Sequence, residues 1–465
     1  MSLSRRSFLV KASASALAAA SPARLVAAAA DAGLFEARAA RVQLAPPGYP
    51  ETEVWTVGGT MPGATLKVTQ GGRVTRRLRN ALPQPTSIHW HGMRIANAMD
   101  GVPGLTQATV ASGAEFLYDF VAPDAGTYWY HAHNRSVEQV ARGLYGALIV
   151  EEAEAPEVDR DEVLILDDWR LDPATGQIAA DFEAPHDRSH AGRIGNFVTT
   201  NGRYDLSLPV RTNERLRIRL INASNARIFV LALSGLDGWT VALDGMPLAE
   251  PEPVAEPIVL GPGQRADLIV DVTAAEGETA HLVRVEDGKG LAQVAFPVTG
   301  AAGGAGRPAP AALPPNLRME VGGLDDALTA RLNMSGGAMG RLDAAVLEGE
   351  RRSFAQLVDA NQFWAFNGAV GMTGTPLLEA SRGQTVRLTI VNDTVFPHAM
   401  HLHGMHFREV AGDGSLGPLR DTALMLRGET RDIAFVADNP GDWLLHCHML
   451  SHAASGMMTW LRVTA

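Results

Sequence analysis

The sequence has little cysteine and few aromatic residues. Its 465 residues include one cysteine, Cys447, so no disulfide can form within the chain and this residue needs another explanation. Aromatic residues make up 6%, whereas glycine and proline occur 47 and 27 times. Short apolar runs between such turn residues favour strands over helices. A chain of this length exceeds one hydrophobic core, so two or three domains are expected.

Positive charge is also scarce. Lys and Arg number 40 against 51 Asp and Glu, which gives a formal net charge of -11. This balance argues against nucleic acid or an anionic membrane surface as a partner. Downstream of the N-terminal segment, no apolar run is long enough to span a bilayer.

The first 30 residues differ from the rest because they are basic and contain no acid. Arg5 and Arg6 precede Phe8, Leu9 and an alanine-rich stretch. This arrangement resembles a twin-arginine export signal. We therefore expect residues 1–30 to be a signal peptide recognised by the twin-arginine (Tat) export machinery, and the mature protein to be periplasmic.

A turn followed by an alternating strand that ends at asparagine occurs three times, at residues 72–80, 214–222 and 383–392. The copies lie about 140 to 170 residues apart, so they mark domain-sized units. We predict an all-β fold of three β-sandwich domains at residues 40–155, 160–300 and 341–465. The segment 301–340 begins with a run rich in Gly, Ala and Pro and is predicted to be a flexible linker.

Ten of the fourteen histidines fall in four clusters within the first and third predicted domains. The clusters are His89 and His91; His131 and His133; His398, His401 and His403; and His446, His448 and His452. Each contains a His-x-His pair, and alternate residues of a strand face the same side. Four pairs would surround a common cavity with eight imidazoles, which suits a group of copper ions.

Cys447 lies in the middle of the last pair, so it faces the opposite side of the same strand. His398 lies an odd number of residues before both His401 and His403, so it faces away from that pair, as Cys447 faces away from His446 and His448. A thiolate, two imidazoles and a distant methionine sulfur form the ligand set of a blue-copper centre, and His452 and Met457 are placed to complete it. Zinc is the main competitor, but a structural zinc site is closed by four ligands and needs no methionine.

These motifs resemble the four copper-binding motifs of the multicopper oxidases, a laccase-like family with three cupredoxin domains. The resemblance covers about residues 45–465 and is carried by the segments 89–92, 131–133, 398–404 and 446–457. It implies three consecutive cupredoxin-like Greek-key β-sandwiches, of which the second has no copper ligands. It also implies four copper ions: one type 1 ion, one type 2 ion and a type 3 pair.

The same resemblance implies a role for each matching residue. The type 1 copper is expected to be held by His398, Cys447, His452 and axial Met457. The type 2 copper is expected to be held by His89 and His401, and the type 3 pair by His91, His131, His133, His403, His446 and His448. Electrons would enter at Cys447 and pass along its backbone to His446 or His448, where O₂ is reduced to water.

Protons need a separate route to the oxygen site. Asp100 stands where similar enzymes carry an acid near the cluster, although Asp-Gly is also an ordinary turn pair. Many bacterial members carry a further acid directly after the histidine that matches His452, whereas this chain has Ala453. His186, His190 and His281 are expected to be solvated.

The leading hypothesis is the one-electron oxidation of phenols or aromatic amines, coupled to the four-electron reduction of O₂ to water. A periplasmic metallo-oxidase of Cu(I) or Fe(II) is the alternative, although residues 394–396, just before His398, offer neither methionine nor carboxylate. A non-catalytic copper-binding scaffold is the third hypothesis, and the filled ligand positions speak against it. His406 exceeds the ligand count and is expected to support the ligands or pack. The sequence leaves the reducing substrate and the oligomeric state open.

Overall fold

The computed structural model describes residues 33–303, 306–317 and 319–465. The predicted export signal lies outside these residues. The described chain folds into three successive pairs of β-sheets with only short helices, which confirms the all-β prediction of three sandwich domains. A search of the described helices finds none that is both long enough and apolar enough to cross a membrane.

Domain 1 packs two four-stranded sheets of order β2-β1-β4-β6 and β3-β8-β7-β5. Its elements are β1 (Leu34–Val42), β2 (Thr52–Val57), β3 (Gly63–Thr69), β4 (Arg73–Asn80), β5 (Ile88–His91), a 3-10 turn (Asn97–Met99), β6 (Glu115–Val121), β7 (Gly126–Ala132), α1 (Ser136–Ala141) and β8 (Tyr145–Glu151). Strand β5 lies at the edge of the second sheet and pairs with β7. Both strands that carry the histidine pairs of this domain therefore lie side by side.

Domain 2 packs sheets of order β10-β9-β12-β17-β14-β15 and β11-β19-β18-β13-β16. Its elements are β9 (Arg160–Trp169), α2 (Pro185–Ser189), β10 (Phe197–Thr200), β11 (Val210–Thr212), β12 (Arg215–Asn222), β13 (Phe229–Ser234), β14 (Leu236–Leu243), β15 (Met246–Pro253), β16 (Ile258–Leu260), β17 (Arg265–Val272), β18 (Thr279–Glu286) and β19 (Lys289–Ala301). None of its strands carries a His-x-His pair.

Domain 3 packs sheets of order β23-β20-β25-β30-β27-β28 and β24-β32-β31-β26-β29, beside a small hairpin of β21 and β22. Its elements are a 3-10 turn (Leu324–Asp326), β20 (Leu328–Gly336), β21 (Ala344–Leu347), β22 (Glu350–Ser353), α3 (Phe354–Asp359), β23 (Trp364–Phe366), β24 (Glu379–Ser381), β25 (Gln384–Asn392), β26 (His398–Leu402), β27 (Phe407–Val410), β28 (Leu416–Arg420), β29 (Thr422–Met425), β30 (Thr430–Ala437), β31 (Gly441–Cys447), α4 (Leu450–Ala453) and β32 (Met458–Thr464).

The three sequence repeats form equivalent strands, β4, β12 and β25, which end at Asn80, Asn222 and Asn392. In each copy the asparagine Oδ1 accepts a hydrogen bond from the backbone N–H two residues later, and its Nδ2 donates to two carbonyls. These side-chain hydrogen bonds take the place of the backbone ladder where the strand ends, as asparagine side chains do in turns. Along β25, Leu388 and Ile390 alternate into the core, where each contributes about 1.5–3 kcal/mol relative to exposure.

The structure differs from the predicted linker at residues 301–340. Strand β20 lies inside that segment and pairs in parallel with β25 and antiparallel with β23. Leu332 and Met334 alternate into the core of domain 3, so the segment is held by burial as well as by the ladder. The third sandwich therefore begins near Leu328, and the connection between domains 2 and 3 is shorter than the composition suggested.

Candidate metal centres

Strand pairing brings the histidine pairs of each domain together. In domain 1, His89 lies opposite His131 across β5 and β7. In domain 3, His401 lies opposite His446 across β26 and β31. Each His-x-His pair projects from one face of its strand, because successive side chains alternate. Each domain therefore offers half of a histidine cluster.

The two halves meet face to face at the interface of domains 1 and 3. The ring of His91 stacks on His401 with centroids 3.7 Å apart, and His89 stacks on His403 at 3.9 Å. The remaining rings close the cluster through three pairs: His133 with His446 at 5.4 Å, His131 with His448 at 5.2 Å and His91 with His448 at 4.9 Å. All eight imidazoles predicted from the four pairs are brought together, and all but the half-buried His133 are buried.

Backbone carbonyls orient half of these rings. A carbonyl can only accept, so the ring nitrogen that faces it must donate. The four Nδ1 donors and their acceptors are His89 to Asp100 O at 2.8 Å, His131 to Ala132 O at 3.1 Å, His401 to Asp421 O at 2.9 Å and His446 to Cys447 O at 2.9 Å. The Nε2 of each ring then carries a lone pair.

Several inward nitrogens have no protein partner. In the described chain, Nε2 of His89, His131 and His401 and both nitrogens of His448 are buried without a hydrogen bond. A buried polar atom left unpaired costs about 1–3 kcal/mol, so nitrogens that converge in this way are suited to bind a ligand. Ring nitrogens lie within 4.8 Å of one another in three groups: His89, His401 and His403; His89, His91 and His131; and His133, His403 and His446.

The donor set fits copper. Burial lowers the pKa of His131, His133, His403 and His448 well below the usual value, and that of His446 to about 3. The rings are therefore neutral and can bind a metal at physiological pH. Neutral imidazoles in this number suit copper better than the oxygen-preferring Mg²⁺ or Ca²⁺.

Carboxylates hold two further rings. Asp100 Oδ2 accepts from His403 Nδ1 at 3.0 Å, and its Oδ1 lies 3.2 Å from His89 Nδ1. Asp421 Oδ1 lies 3.2 Å from His91 Nε2. Burial alone would raise the pKa of Asp421, but the Arg265 guanidinium and His91 hold it well below the usual range. Both carboxylates are buried, and each orients a different ring of the cluster.

A second site lies on the other face of β31. The Nδ1 atoms of His398 and His452 are 3.0 Å apart, and Cys447 Sγ lies 3.6 and 3.7 Å from them. These three side chains have no exposed surface. Burial raises the pKa of the Cys447 thiol to about 12, so only a bound cation would favour the thiolate. The two imidazoles and the sulfur form a trigonal set suited to copper.

The outer nitrogens of this second site are also satisfied. His398 Nε2 donates to Thr394 Oγ1 at 2.9 Å, and His452 Nε2 donates to the carbonyl oxygen of His190 at 2.6 Å. Both hydrogen bonds leave Nδ1 free to face the sulfur. Met457 is buried in the same core, and its carbonyl accepts from Cys447 N–H at 3.1 Å.

The two sites are joined by covalent bonds. Cys447 is the chain neighbour of both His446 and His448, whose rings lie in the cluster on the opposite face of β31. The carbonyl of Cys447 also accepts the His446 Nδ1 hydrogen bond. An electron at the Cys447 sulfur is thus separated from the cluster only by side-chain and backbone bonds.

The remaining histidines take different positions. His406 is buried, its Nε2 lies 3.7 Å from Asp421 Oδ2, and burial lowers its pKa to about 4. It packs beside the cluster and adds to the surroundings of Asp421. His186 is exposed, whereas His190 and His281 are half-buried.

Four contributors to these sites were not predicted from the sequence: Asp421, Thr394, Arg265 and the carbonyl of His190. Thr394 lies only four residues before His398, so its closeness in sequence could have indicated it as a hydrogen-bond partner of that ring. Asp421, Arg265 and His190 are distant in sequence from the rings that they support, and no local periodicity points to them. Domain 2 supplies two of the four.

Three family models, each described as multicopper oxidase, match residues 38–155, 160–300 and 350–465. The multicopper oxidase MmcO of Mycobacterium tuberculosis is 31% identical, over 91% of this chain and 85% of its own length. Laccase-1 of Cryptococcus neoformans is 27% identical, over 90% and 78%. The crystal structure of Lac15 from a marine microbial metagenome is 42% identical with a TM-score of 0.75, covering 93% of this chain and 100% of that one.

Proposed function

The chain belongs to the multicopper oxidase family, and from this premise we propose that it oxidises phenols or aromatic amines one electron at a time. Copper is the cofactor of the family, and the protein is an oxidoreductase with O₂ as acceptor. The similarity to a protein named laccase supports an organic donor for this chain. The periplasmic location proposed for it rests on the twin-arginine pattern at residues 1–30.

We propose metal ligands for the two sites from the match of the four histidine motifs to those of the family. The type 1 ligands proposed are His398, Cys447, His452 and axial Met457. The type 2 ligands proposed are His89 and His401, and the type 3 ligands are His91, His131, His133, His403, His446 and His448. The convergence of unbonded ring nitrogens supports this assignment, and the single observation that carries the function is the covalent connection of Cys447 to both cluster ligands.

Copper held by the Cys447 site and by the histidine cluster would supply the one-electron redox chemistry that couples a donor to O₂. The protein provides the path between the two sites, the orientation of the rings and the exclusion of water. Cys447 provides the path between the sites through its own backbone. Asp100 and Asp421 fix the rings of His403 and His91, and carbonyls fix four others. Burial of the cluster excludes bulk water from the rings.

Asp100 has a structural role that its contacts support directly, because its carboxylate and its carbonyl hold one ring each. The proton-transfer role predicted for it stays a prediction. No acid stands directly after His452, where Ala453 is buried in α4. Any proton route to the cluster must therefore use other groups.

The test compares electron donors under one set of conditions. O₂ uptake is measured with a phenol, an aromatic diamine, Cu(I) and Fe(II), using copper-loaded wild type and Cys447→Ser. We expect uptake with both organic donors and a loss of it in the variant. Uptake with Cu(I) or Fe(II) alone would replace this proposal with a metallo-oxidase. Copper binding without uptake from any donor would favour the non-catalytic scaffold.

A further inference from the structure

His91 leaves a different ring nitrogen unpaired from His89, His131 and His401. Its Nδ1 is buried without a partner in the described chain, whereas the inward atom of His89, His131 and His401 is Nε2. Its outer Nε2 faces Asp421 Oδ1 at 3.2 Å and Thr422 Oγ1 at 3.5 Å. Among the described residues no backbone carbonyl accepts a hydrogen bond from this ring, so its tautomer depends on the Asp421 side chain.

Asp421 is itself fixed by an arginine. Arg265 Nη1 donates to Oδ1 at 2.8 Å and Nη2 donates to Oδ2 at 2.6 Å, which is the paired geometry that a guanidinium makes with a carboxylate. Thr422 Oγ1 donates to Oδ1 at 2.7 Å. Arg265, Asp421 and Thr422 have no exposed surface. The carboxylate is thus held with its Oδ1 toward His91.

Arg265 belongs to domain 2, which supplies no histidine to the cluster. Its other hydrogen bonds run from Nε to Thr127 O at 3.1 Å, from Nη1 to Gly263 O at 3.1 Å and from Nη2 to Asp244 O at 2.8 Å. Together with Asp421 these acceptors satisfy all five guanidinium donors. One side chain therefore contacts all three domains, including β7, the strand that carries His131.

The turn before Arg265 packs against the same rings. A Cβ atom at Gly263 would lie 2.9 Å from His448 Cδ2 and 3.0 Å from His91 Cε1, so the bare glycine backbone fits against both imidazoles. Gln264 Nε2 donates to Thr422 O at 2.8 Å and holds the segment that follows Asp421. These contacts are independent of the ion pair, and they place domain 2 directly against the cluster.

We propose that domain 2 sets the orientation and tautomer of His91 through Arg265 and Asp421, and that copper binding at the histidine cluster depends on this arrangement. Domain 2 then contributes to the cluster although it supplies no histidine to it. Arg265 is a positioning residue, because it acts on His91 through Asp421. The inference rests on the proposed function, since it takes His91 as a copper ligand.

Arg265→Lys tests the proposal because lysine retains the charge but lacks the paired donors. Arg217→Lys is the matched control. Arg217 is also a fully buried arginine of domain 2, and its guanidinium pairs with Glu152 and Asp267 at the junction with domain 1. Both variants should lower the unfolding temperature, so stability alone does not separate them.

The readouts that separate the two variants are copper per chain, copper affinity and the electron paramagnetic resonance spectrum. We expect Arg265→Lys to weaken copper binding at the cluster about 10-fold to 100-fold, as changes to outer partners of metal ligands do. The blue absorption expected from copper bound to the Cys447 thiolate should remain. Arg217→Lys should bind a full complement of copper with an unchanged spectrum.

Wild-type cluster affinity and spectrum in Arg265→Lys would overturn the proposal, and so would an equal loss in both variants. Should Arg265→Lys not fold, Asp421→Asn keeps the shape of the side chain and should show the same selective loss of cluster copper. A wild-type protein that binds no copper would instead overturn the proposed function itself. Copper in the wild type with no effect in Arg265→Lys or Asp421→Asn removes only this inference.

Discussion

The two candidate metal centres use opposite nitrogens of their imidazoles. His398 and His452 turn Nδ1 toward Cys447 and donate Nε2 outward, whereas most cluster rings donate Nδ1 outward. The outer partner of a ring thus decides which lone pair faces the metal. His91 instead leaves Nδ1 unpaired and is held at Nε2 by Asp421.

The two centres also differ in how many domains they need. His398, Cys447, His452 and Met457 all come from domain 3, and domain 2 adds the carbonyl of His190. The cluster takes its rings from domains 1 and 3 in equal numbers. Because its geometry depends on domain docking, a change at an interface should affect the cluster first.

The largest effect is expected from removing one cluster ring. His403→Ala deletes an imidazole that stacks on His89 and approaches His446. We expect O₂ uptake to fall more than about 100-fold, beyond the range found for outer partners. The blue absorption should persist, because His403 is not part of the cysteine site. Absorption and O₂-electrode measurements on the same sample test both expectations.

Cys447→Ser is the reciprocal control for that experiment, because it changes the cysteine site and leaves the cluster intact. It should abolish the blue absorption and leave the copper bound by the eight imidazoles. A loss of all copper in either variant would contradict the division into two centres.

Asp100→Ala should have the next largest effect. It removes the acceptor of His403 Nδ1, but the Asp100 carbonyl still holds His89. We expect a loss of about 10-fold to 100-fold in cluster copper affinity, in the range for outer partners, with the blue absorption unchanged. Equilibrium titration with copper measures the affinity.

Asp100→Asn completes this test because its amide retains an acceptor oxygen. Copper affinity close to wild type is expected in this variant. O₂ uptake that stays low while copper returns would support the predicted proton role of Asp100. Full recovery of both would leave Asp100 with its positioning role alone.

Parity along strands explains how much of both centres could be predicted from the sequence. Strand β31 is extended through His446 and Cys447, so the two faces separate as alternation requires. Strand β26 likewise separates His398 from His401. The asparagine that ends each repeat marked the three domains correctly. Such signals are local, and strand geometry converts them directly into positions in space.

Other features depend on contacts that sequence order does not show. Arg265 and Asp421 lie 156 residues apart, and only the docking of domains 2 and 3 brings them together. His190 acts through its backbone carbonyl, and because every residue has a carbonyl, the sequence does not indicate this contact. The start of domain 3 was missed because the Gly- and Ala-rich run before it concealed the alternation in β20.

A smaller effect confined to the cysteine site is expected from Thr394→Val. Valine cannot accept the hydrogen bond from His398 Nε2, which leaves a buried N–H unpaired at a cost of about 1–3 kcal/mol. The blue absorption should shift and copper affinity there should fall about 10-fold, while the cluster is unchanged. Thr389→Val, which breaks a part-buried bond to Asp432 in the same domain, is the control. An unshifted spectrum in Thr394→Val would contradict the role of this hydrogen bond.

The smallest effect concerns the cover segment, residues 181–195 of domain 2, whose His190 carbonyl closes the outer edge of His452. Asp187 anchors this segment through a paired interaction with Arg170 at 2.7 and 2.9 Å. Asp187→Ala should loosen the cover and lower the free energy of unfolding by about 1–3 kcal/mol.

An edge of His452 that opens in this way should admit bulky phenols more readily. We expect kcat/KM for such donors to rise about twofold to fivefold, equivalent to less than about 1 kcal/mol of barrier, with no change for small donors. Asp205→Ala, which removes an exposed pair with Arg203 in the same domain, should change neither quantity. If Asp187→Ala lowers stability but leaves the preference among donors unchanged, the carbonyl of His190 orients His452 without restricting access to it.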